Sequence, residues 1–375
     1  MQNNKMPGKA YWIILFTTIA LLVALIIAFV VVMCIGEGGN EVEVPTGNSP
    51  TGITKKTNKK TVITLPCITE GGAYLSTSAS GVATIEGIKS ECAVLVDISS
   101  NKSVAEKGAD VVIHPASMTK VMTLLVACEN AKNPNALLTV KEEMLQRRAE
   151  LEGSGELVEN TTALNGEGDP EQIDIIGKSV TVADALYLIN YQSDTVACLL
   201  IANYVAGSEA DFVKLMNDKA AELGLSKTKF VNSTGLTEKS GDYNTTTCRE
   251  MAAIMAAAID NPMVKKIVTG TEKFKADIYE GKTKTEYVIP FFADWHNKAN
   301  RLNGDIWAGK VKLLGGKTGY EDIPTSCFVT YGIHSGSNKA YVCVIVGKTI
   351  GSNAEVVYPE PQTKDTRLIY ANYAK

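Results

Sequence analysis

An uncharged apolar run near the N-terminus places the strongest constraint on how this 375-residue chain can fold. The run extends from Tyr11 to Ile35, and as a helix rising about 1.5 Å per residue it would measure about 37 Å. That length is enough to cross a bilayer hydrocarbon core of roughly 30 Å. Lysines precede the run and glutamates follow it, and by the positive-inside rule this order keeps the N-terminus in the cytoplasm. The sequence therefore predicts a cytoplasmic tail at 1–10, a single-pass transmembrane helix at 11–35 and export of the rest.

A cleaved signal peptide is the alternative interpretation of the same run. Signal peptides normally have an apolar region of about 7–15 residues followed by a small-x-small cleavage site. The run is longer than that, and "VVMCIG" at its end offers no such site. Residues 36–65, which follow, are rich in Gly, Pro, Thr, Asn and charged residues, so they are expected to form a flexible linker. Residues 66–375 are then predicted to form the exported folded domain.

Composition and motif searches narrow the class of function. The formal net charge is −4 and no basic helix is interleaved with aromatic residues, so nucleic acid is not expected as a partner. The three histidines are far apart in the chain, no C-x-x-C occurs, and no glycine-rich phosphate-binding loop is present. We therefore expect no metal site and no cofactor. An exported enzyme of this composition would activate its nucleophile without histidine, as a serine paired with a lysine does.

The apolar pattern predicts strands at both ends of the exported domain and helices between them. "CAVLVDISSNKSVAEKGAD" predicts two strands joined by a turn at Ser100-Asn101. From residue 178 a helical block follows with breaks near Gln192-Ser193 and Ala206-Gly207, and "CREMAAIMAAAID" predicts another buried helix. The C-terminal third of the sequence has the pattern of several strands followed by a closing helix. This order implies an α+β fold in which one antiparallel sheet, flanked by helices, is shared by both ends and accompanied by a helical subdomain.

A candidate nucleophile lies in "HPASMTKVMTLLVACEN", residues 114–130. Ser117 follows a proline at a predicted helix start, so Lys120 lies one turn further along the same face. The positive end of the helix dipole and the apolar surroundings both lower the pKa of a lysine amine there, and a neutral amine can accept the serine proton. The same S-x-x-K pattern also occurs at Ser99 and at Ser226, so the pattern by itself does not identify a site.

Two later features support the pair. "LLGGKTGY" contains K-T-G at residues 317–319 in a predicted strand, and "YQSDTVA" places Ser193 at a break between helices. The order S-x-x-K, serine loop, K-T-G resembles the serine penicillin-binding proteins and serine β-lactamases, and most of all the D-alanyl-D-alanine carboxypeptidase family. The resemblance covers roughly residues 92 to 350 and includes an F-x-N-x-x-G-L stretch at residues 230–236. It implies the β-lactamase/DD-peptidase-like fold.

The resemblance also implies catalytic roles. Ser117 would be the acylated nucleophile and Lys120 its general base. Ser193 would join Lys120 in a hydrogen-bonded proton relay that protonates the leaving amine.

Substrate-binding roles follow in the same way. Lys317 would supply positive potential for the terminal carboxylate of the substrate, and the Thr318 hydroxyl would bind that carboxylate. Gly319 would let the strand lie flat against the substrate. The backbone N–H groups of Ser117 and Tyr320 would form the oxyanion hole.

The sequence departs from the family pattern at the serine loop. The family normally has S-x-N there, but Thr195 stands at the position of the asparagine. An asparagine carboxamide offers one acceptor and two donors, whereas threonine offers a single shorter hydroxyl. Thr195 is therefore expected to bind the substrate backbone differently. A long polar stretch at 141–177 is expected to include an insertion beside the cleft.

The implied activity is hydrolysis of the terminal D-Ala-D-Ala bond of peptidoglycan stem peptides through an acyl-enzyme, in a low-molecular-mass penicillin-binding protein. The expected partners are the stem peptide, β-lactams as covalent inhibitors and the cell membrane, which the N-terminal helix would span with the catalytic domain extracytoplasmic. The sequence leaves three alternatives open: a β-lactamase, a DD-endopeptidase on the same site, and a catalytically weak wall-binding homologue.

Overall fold

A seven-stranded sheet forms the centre of the computed structural model. The structure describes residues 74–76, 81–153, 160–164, 170–270, 274–289, 306–321, 326–350, 352 and 360–375. These residues all belong to one unit that spans 63–375. The predicted tail, transmembrane helix and linker at 1–65 lie outside the described residues and stay predictions.

The helices and strands are numbered in chain order. The strands are β1 (Ala83–Thr84), β2 (Cys92–Asp97), β3 (Lys102–Lys107), β4 (Val112–Ile113), β5 (Leu137–Thr139), β6 (Asn160–Leu164), β7 (Pro170–Asp174), β8 (Ser179–Thr181), β9 (Thr246–Thr247), β10 (Phe274–Glu280), β11 (Thr283–Ile289), β12 (Ile306–Ala308), β13 (Val311–Gly319), β14 (Cys327–His334) and β15 (Ala340–Val346). The helices are α1 (Lys120–Asn130), α2 (Glu142–Glu152), α3 (Val182–Tyr191), α4 (Thr195–Ala206), α5 (Glu209–Glu222), α6 (Cys248–Asp260), α7 (Pro262–Val268) and α8 (Glu360–Tyr373).

The central sheet joins the two ends of the domain. Its strand order is β1-β3-β2-β15-β14-β13-β12. The β2–β15 pairing, in which Leu95 faces Cys343, brings the first long strand against the last. All of its strand pairs are antiparallel except β1 with β3, which is parallel. The predicted antiparallel sheet shared by both ends is therefore confirmed.

Every residue of β2 and of β15 is buried, because the sheet is covered on both faces. Successive side chains of a strand point to opposite faces, so Val94 and Val344 join a core with the central helices α1 and α6. Leu95 and Ile345 join a second core with the closing helix α8. A strand covered on both faces is a continuous apolar run, which explains the sequences "CAVLVD" and "AYVCVIV".

Polar N-cap residues define where the middle helices begin. A side-chain oxygen of each cap accepts a backbone N–H of the first turn, which has no partner inside the helix. The caps are Thr181 for α3, Asp194 for α4, Ser208 for α5, Thr247 for α6 and Asn261 for α7. The breaks predicted near Gln192-Ser193 and Ala206-Gly207 are confirmed, because α3 ends at Tyr191 and α4 at Ala206.

A second sheet of six strands lies in the middle of the chain, and the sequence interpretation missed it. Its order is β5-β8-β10-β11-β6-β7, so the part predicted as a helical subdomain is mixed. The β10–β11 hairpin turns between Glu280 and Thr283 with Gly281 at a φ of 59°. The first hairpin strand, "FKADIYE", alternates apolar and polar residues over its first five positions, and this was the available signal. The second, "TKTEYVI", has four polar residues followed by three apolar ones and shows no such alternation.

Within the part of the chain that the structure describes, no single helix has both the length and the apolar character to cross a membrane. The helices α4 and α5 meet that criterion only as a pair, and they are bent by 82° at the break between them.

Candidate active site

Ser117 and Lys120 are brought together by a change of helix type. Ser117 lies in a short 3-10 helix, Ala116–Thr119, and Lys120 is the first residue of α1, which continues directly from it. Lys120 Nζ is 3.0 Å from Ser117 Oγ. Lys120 is 1% exposed, whereas Ser117 is half-buried and reaches the surface of the cleft. The structure thus places an amine beside an accessible hydroxyl.

The turn that carries Ser117 is strained and tightly enclosed. Ala116 has a φ of 47°, a left-handed conformation that costs an L-residue roughly 1–2 kcal/mol. A Cβ added at Gly235 would lie 2.0 Å from the Ala116 carbonyl oxygen. A Cβ added at Gly319 would lie 2.9 Å from the Pro115 carbonyl oxygen and 3.2 Å from Ala116 Cβ. Two glycines from distant parts of the chain therefore allow the backbone to close around the turn that carries Ser117.

The loop at 230–238 fixes the amine of Lys120. Lys120 Nζ donates to the carbonyl oxygen of Thr234 at 2.6 Å. That carbonyl is held by Asn232, whose Oδ1 accepts the backbone N–H groups of Thr234 at 3.2 Å and of Gly235 at 2.8 Å. Thr123 Oγ1 of α1 also donates to the Ser233 carbonyl oxygen at 2.6 Å. The F-x-N-x-x-G-L stretch thus positions the lysine through backbone groups.

Ser193 lies at the predicted break between α3 and α4, with a φ of 54°. Lys317 Nζ donates to Ser193 Oγ at 3.1 Å and to the carbonyl oxygen of Thr318 at 3.0 Å. The hydrogen bond that the structure shows for Ser193 therefore joins the serine loop to the K-T-G strand. The relay between Ser193 and Lys120 that the sequence predicts stays a prediction.

The K-T-G residues are the last three of strand β13, which lies next to the edge strand β12 in the central sheet. Gly319 pairs with Cys327 and Lys317 with Val329 of β14. The register of this strand pair therefore fixes the position of the K-T-G residues along the sheet. Lys317 is 1% exposed, and the next residue after the strand, Tyr320, is 52% exposed. Gly319 packs on the turn Pro115–Thr119 that carries Ser117, which we call the nucleophile turn. The end of β13 and Ser117 are therefore close together.

Thr195 is the first residue of α4 and is 7% exposed. Its hydroxyl donates to Glu152 Oε1 at 3.2 Å, and Arg148 Nε donates to the same carboxylate at 3.0 Å. Glu152 ends α2, within the polar stretch that the sequence places beside the cleft. The residue that replaces the usual asparagine thus bonds to a carboxylate, and no motif in the sequence predicted Glu152 here.

Burial dominates the electrostatics of the cleft. Burial lowers the pKa of the Lys120 amine, and the negative potential of Cys198, Asp194, Glu321 and Glu152 partly opposes that shift. The direction is the one that base catalysis needs, because a lowered pKa increases the fraction of neutral amine.

Lys317 responds more strongly to the same surroundings. Burial lowers its pKa well below the ordinary value, and the positive charge of Lys120 adds to the effect. A charged Lys120 therefore disfavours the ammonium form of Lys317. A carboxylate bound beside Lys317 would restore its ammonium form.

Acyl transfer is the chemistry that this arrangement can support: a hydroxyl next to a buried amine, with a second hydroxyl bonded to a second buried amine. In the described part of the chain, no group of three or more His, Cys, Asp or Glu side chains is placed to hold a metal ion.

Comparison with known proteins gives consistent results. Residues 78–349 match the family described as D-alanyl-D-alanine carboxypeptidase. The D-alanyl-D-alanine carboxypeptidase DacF of Bacillus subtilis is 29% identical over 70% of this chain and 58% of its own length. The carboxypeptidase DacA of Escherichia coli is 31% identical over 66% of this chain and 53% of its own. The chain thus spans little more than half the length of these relatives.

A third relative and two solved structures extend the comparison. A D-alanyl-D-alanine endopeptidase of Escherichia coli is 27% identical over 68% of this chain and 71% of its own. A mutant of a Streptomyces DD-transpeptidase superposes with a TM-score of 0.60 at 18% identity, covering 78% of this chain and 100% of that one. A Mycobacterium tuberculosis D-alanyl-D-alanine carboxypeptidase gives a TM-score of 0.57 at 20% identity, covering 80% and 97%. At these identities the two structures establish the fold, which matches the DD-peptidase-like prediction.

Proposed function

The chain belongs to the D-alanyl-D-alanine carboxypeptidase family, and from this premise we propose that it removes the terminal D-alanine of peptidoglycan stem peptides through an acyl-enzyme on Ser117. The matched residues, 78–349, contain the S-x-x-K pair, the serine loop and the K-T-G strand. The relatives named carboxypeptidases support this substrate class.

The proposed reaction begins with Ser117 and Lys120. A neutral lysine amine has two N–H groups and one lone pair; the Thr234 carbonyl accepts one N–H, which leaves the lone pair free to face the Ser117 hydroxyl. Lys120 takes the proton as Ser117 Oγ bonds to the carbonyl carbon of the penultimate D-Ala. The C–N bond then breaks, the terminal D-Ala leaves with a proton delivered through Ser193, and water hydrolyses the ester.

The binding residues orient the substrate in this proposal. Lys317 and Thr318 hold the terminal carboxylate, and the N–H groups of Ser117 and Tyr320 stabilise the oxyanion. Thr195 contacts the substrate backbone from the other side of the site, and its hydroxyl donates a hydrogen bond to Glu152.

The observation that carries the proposal is the 3.0 Å distance between Lys120 Nζ and Ser117 Oγ, together with the burial of that amine. A solvated ammonium could not take the proton of Ser117, whereas a buried amine with a lowered pKa can.

Release of D-alanine from a synthetic peptide ending in D-Ala-D-Ala tests the proposal. The wild-type chain should release one D-alanine per peptide, and Ser117→Ala should abolish release. Ser226→Ala is the matched control, because Ser226 belongs to another S-x-x-K and is exposed. Release that survives Ser117→Ala, or that is absent in the wild type, would refute the assignment.

An endopeptidase activity on the same site is the second candidate, and it is favoured by the relative of that name, which matches 71% of its own length. Purified cross-linked and uncross-linked muropeptides distinguish the two activities. Cleavage of the cross-linked dimers to monomers would favour the endopeptidase, whereas loss of D-alanine from monomers alone would favour the carboxypeptidase.

We also propose that the protein is a single-pass membrane protein with its catalytic domain outside the cytoplasm. The apolar run Tyr11–Ile35 and the order of charges around it support this location. Penicillins are the expected covalent inhibitors, because they would acylate Ser117.

A further inference from the structure

His114 lies three residues before the nucleophile and is 1% exposed. It follows β4 directly and precedes Pro115 of the strained turn. The backbone N–H of Ala116 donates to His114 Nδ1 at 3.0 Å. A side-chain acceptor at one residue and the N–H two residues later close an Asx-like turn, a unit usually formed by Asn or Asp.

This hydrogen bond assigns the tautomer of the ring. Nδ1 accepts the Ala116 N–H, so it carries no proton, and in a neutral imidazole the proton is then on Nε2. Nε2 is 3.3 Å from Thr237 Oγ1, to which it donates. The imidazole also stacks on the Tyr243 ring, with centroids 5.0 Å apart and planes at 7°. Thr237, near the end of the 230–238 loop, and Tyr243, between that loop and β9, thus fix the orientation of the ring.

The same loop carries the groups that position Lys120. Thr237 follows the Thr234 carbonyl, the acceptor of the lysine amine, by three residues, and Gly235 packs on Ala116. His114 therefore connects the loop to the nucleophile turn through Thr237 and the Ala116 N–H. Ala116 keeps its left-handed φ of 47° while its N–H is engaged by this ring.

We propose that His114 is a positioning residue for the acylation reaction: its unprotonated Nδ1 holds the Ala116 N–H and so fixes the left-handed turn that directs Ser117 Oγ at Lys120 and at the substrate. This inference rests on the proposed function. It gives a role to a histidine that takes no part in the proton transfers described above.

The surroundings keep the ring in its acceptor form. The ring is contacted by the Thr237 hydroxyl, the Tyr243 ring and the Ala116 N–H, and burial lowers the pKa of His114 to about 4. The charged side chains of the loop are engaged elsewhere or exposed: Glu238 pairs with Arg147, Asp242 accepts from Ser240, and Lys239 is exposed. On β4 and its neighbours, Asp110 pairs with Arg249. Protonation of Nδ1 would remove the acceptor.

Two substitutions at His114 separate positioning from general stability. His114→Asn places Oδ1 at the position of Nδ1 and can still close the turn, whereas His114→Gln moves its oxygen one bond further out. His334 offers a matched control, because its Nδ1 accepts the backbone N–H groups of Gly336 at 3.1 Å and Ser337 at 3.0 Å. His334 is the last residue of β14, and Cys327, which pairs with Gly319 of the K-T-G motif, is the first. Seven residues of strand separate them, so His334 is roughly 24 Å from that motif.

The measurement is stopped-flow acylation by benzylpenicillin, analysed for the acylation rate constant and the binding constant separately. His114→Gln should lower the rate constant about 30- to 100-fold, the loss expected for a nucleophile displaced by about 1 Å, with binding within about threefold of wild type. His114→Asn should stay within about fivefold, and His334→Gln should leave the rate constant unchanged. A His114→Gln rate within threefold of wild type, or an equal loss in both His114 variants, would overturn the proposal.

A measurement on the wild-type chain decides the case if the glutamine variant does not fold. Nitrogen-15 spectra of the imidazole at pH 7 should show an unprotonated Nδ1 and a protonated Nε2 for His114. A proton on Nδ1 would overturn the proposal, whatever the variants do. If the wild type takes up no penicillin at all, the proposed function fails, whereas the spectra still report on the turn.

Discussion

At the scale of single residues, the electrostatics of the cleft depend mainly on the burial of two lysine amines. Burial lowers the pKa of both Lys120 and Lys317, and the stronger effect falls on Lys317. Cys198 opposes the lowering of the pKa at both amines, and Asp194, Glu321 and Glu152 oppose it at Lys120 as well. In our account the neutral amine of Lys120 acts as the base, and the substrate carboxylate restores the charge of Lys317 when it binds.

Lys120→Arg tests whether Lys120 is the base, because an arginine side chain at this position cannot give up its proton. A guanidinium stays protonated at every working pH, so it cannot take the Ser117 proton, and acylation by penicillin should fall about 10² to 10⁴-fold. In the wild type, acylation should decline as the pH falls through the lowered pKa of Lys120, because the amine is then protonated. Lys102→Arg is the control, since Lys102 belongs to another S-x-x-K and is exposed. Acylation retained by Lys120→Arg would contradict the assignment of the base.

Because His114 is buried, we expect the free energy of unfolding to depend on pH. Burial lowers its pKa to about 4, whereas an unfolded chain has a histidine pKa of about 6.5, so between these values the unfolded state binds more protons. The stabilisation is therefore fully present above about pH 6.5 and is lost as the pH falls toward 4, by about 2–3 kcal/mol. Urea unfolding at pH 7.0 and 4.5 measures it. The wild type should lose that much more stability than His114→Asn; an equal loss in both would show that the histidine is not buried neutral.

At the scale of elements, two chain segments meet at the nucleophile turn because glycines allow close backbone contact, and a third segment is bonded to one of them. The 230–238 loop contacts Ala116 through Gly235, and β13 contacts it through Gly319. The serine loop between α3 and α4 is linked to β13 through the Lys317–Ser193 hydrogen bond. The site is therefore an assembly of the central sheet and the helical layer, and its geometry depends on their packing.

Gly235→Ala and Gly241→Ala separate steric contact from backbone strain. Both glycines lie close together in the chain, with φ of +87° and +89°, but a Cβ at Gly235 meets the Ala116 carbonyl oxygen at 2.0 Å, whereas Gly241 has open space. Gly241→Ala should cost roughly 1–2 kcal/mol of unfolding free energy and preserve acylation. Gly235→Ala should cost roughly 3 kcal/mol or more and abolish acylation. Equal effects of the two on stability and acylation would contradict the close packing.

The sequence predicted the elements whose patterns are strong. The shared sheet, the α3 and α4 ends and the S-x-x-K pair followed from apolar runs, caps and a motif of adjacent residues. The second sheet was missed because its strands carry many charges among few apolar residues, as in "TKTEYVI". Contacts that depend on distant segments, such as Thr195 with Glu152, leave no local pattern. The acceptor for Lys120 is a backbone carbonyl of Thr234, for which no side chain is required.

At the scale of the whole molecule, the protein combines a described domain with an N-terminal region of different composition. The domain has one sheet covered by the central helices on one face and by α8 on the other. The N-terminal region has the apolar run at 11–35 and a polar stretch at 36–65. We propose that the run holds the domain close to the outer face of the membrane, where its substrate would be.

Membrane fractionation tests this arrangement. The full chain should sediment with membranes and resist extraction by high salt or carbonate, because a spanning helix is held by its apolar length rather than by charge. A chain beginning at residue 66 and exported by another signal should appear in the soluble fraction and still bind penicillin. A full-length chain that is recovered in the soluble fraction would contradict the anchor.

The intact mass of the protein after incubation with benzylpenicillin shows whether Ser117 is the acylated residue. We expect one added penicillin per chain, mapped by peptide analysis to Ser117, with no adduct on Ser117→Ala and an unchanged adduct on Ser226→Ala. An adduct that persists on Ser117→Ala, or a wild-type chain that stays unmodified, would contradict the claim that Ser117 is the nucleophile that Lys120 activates.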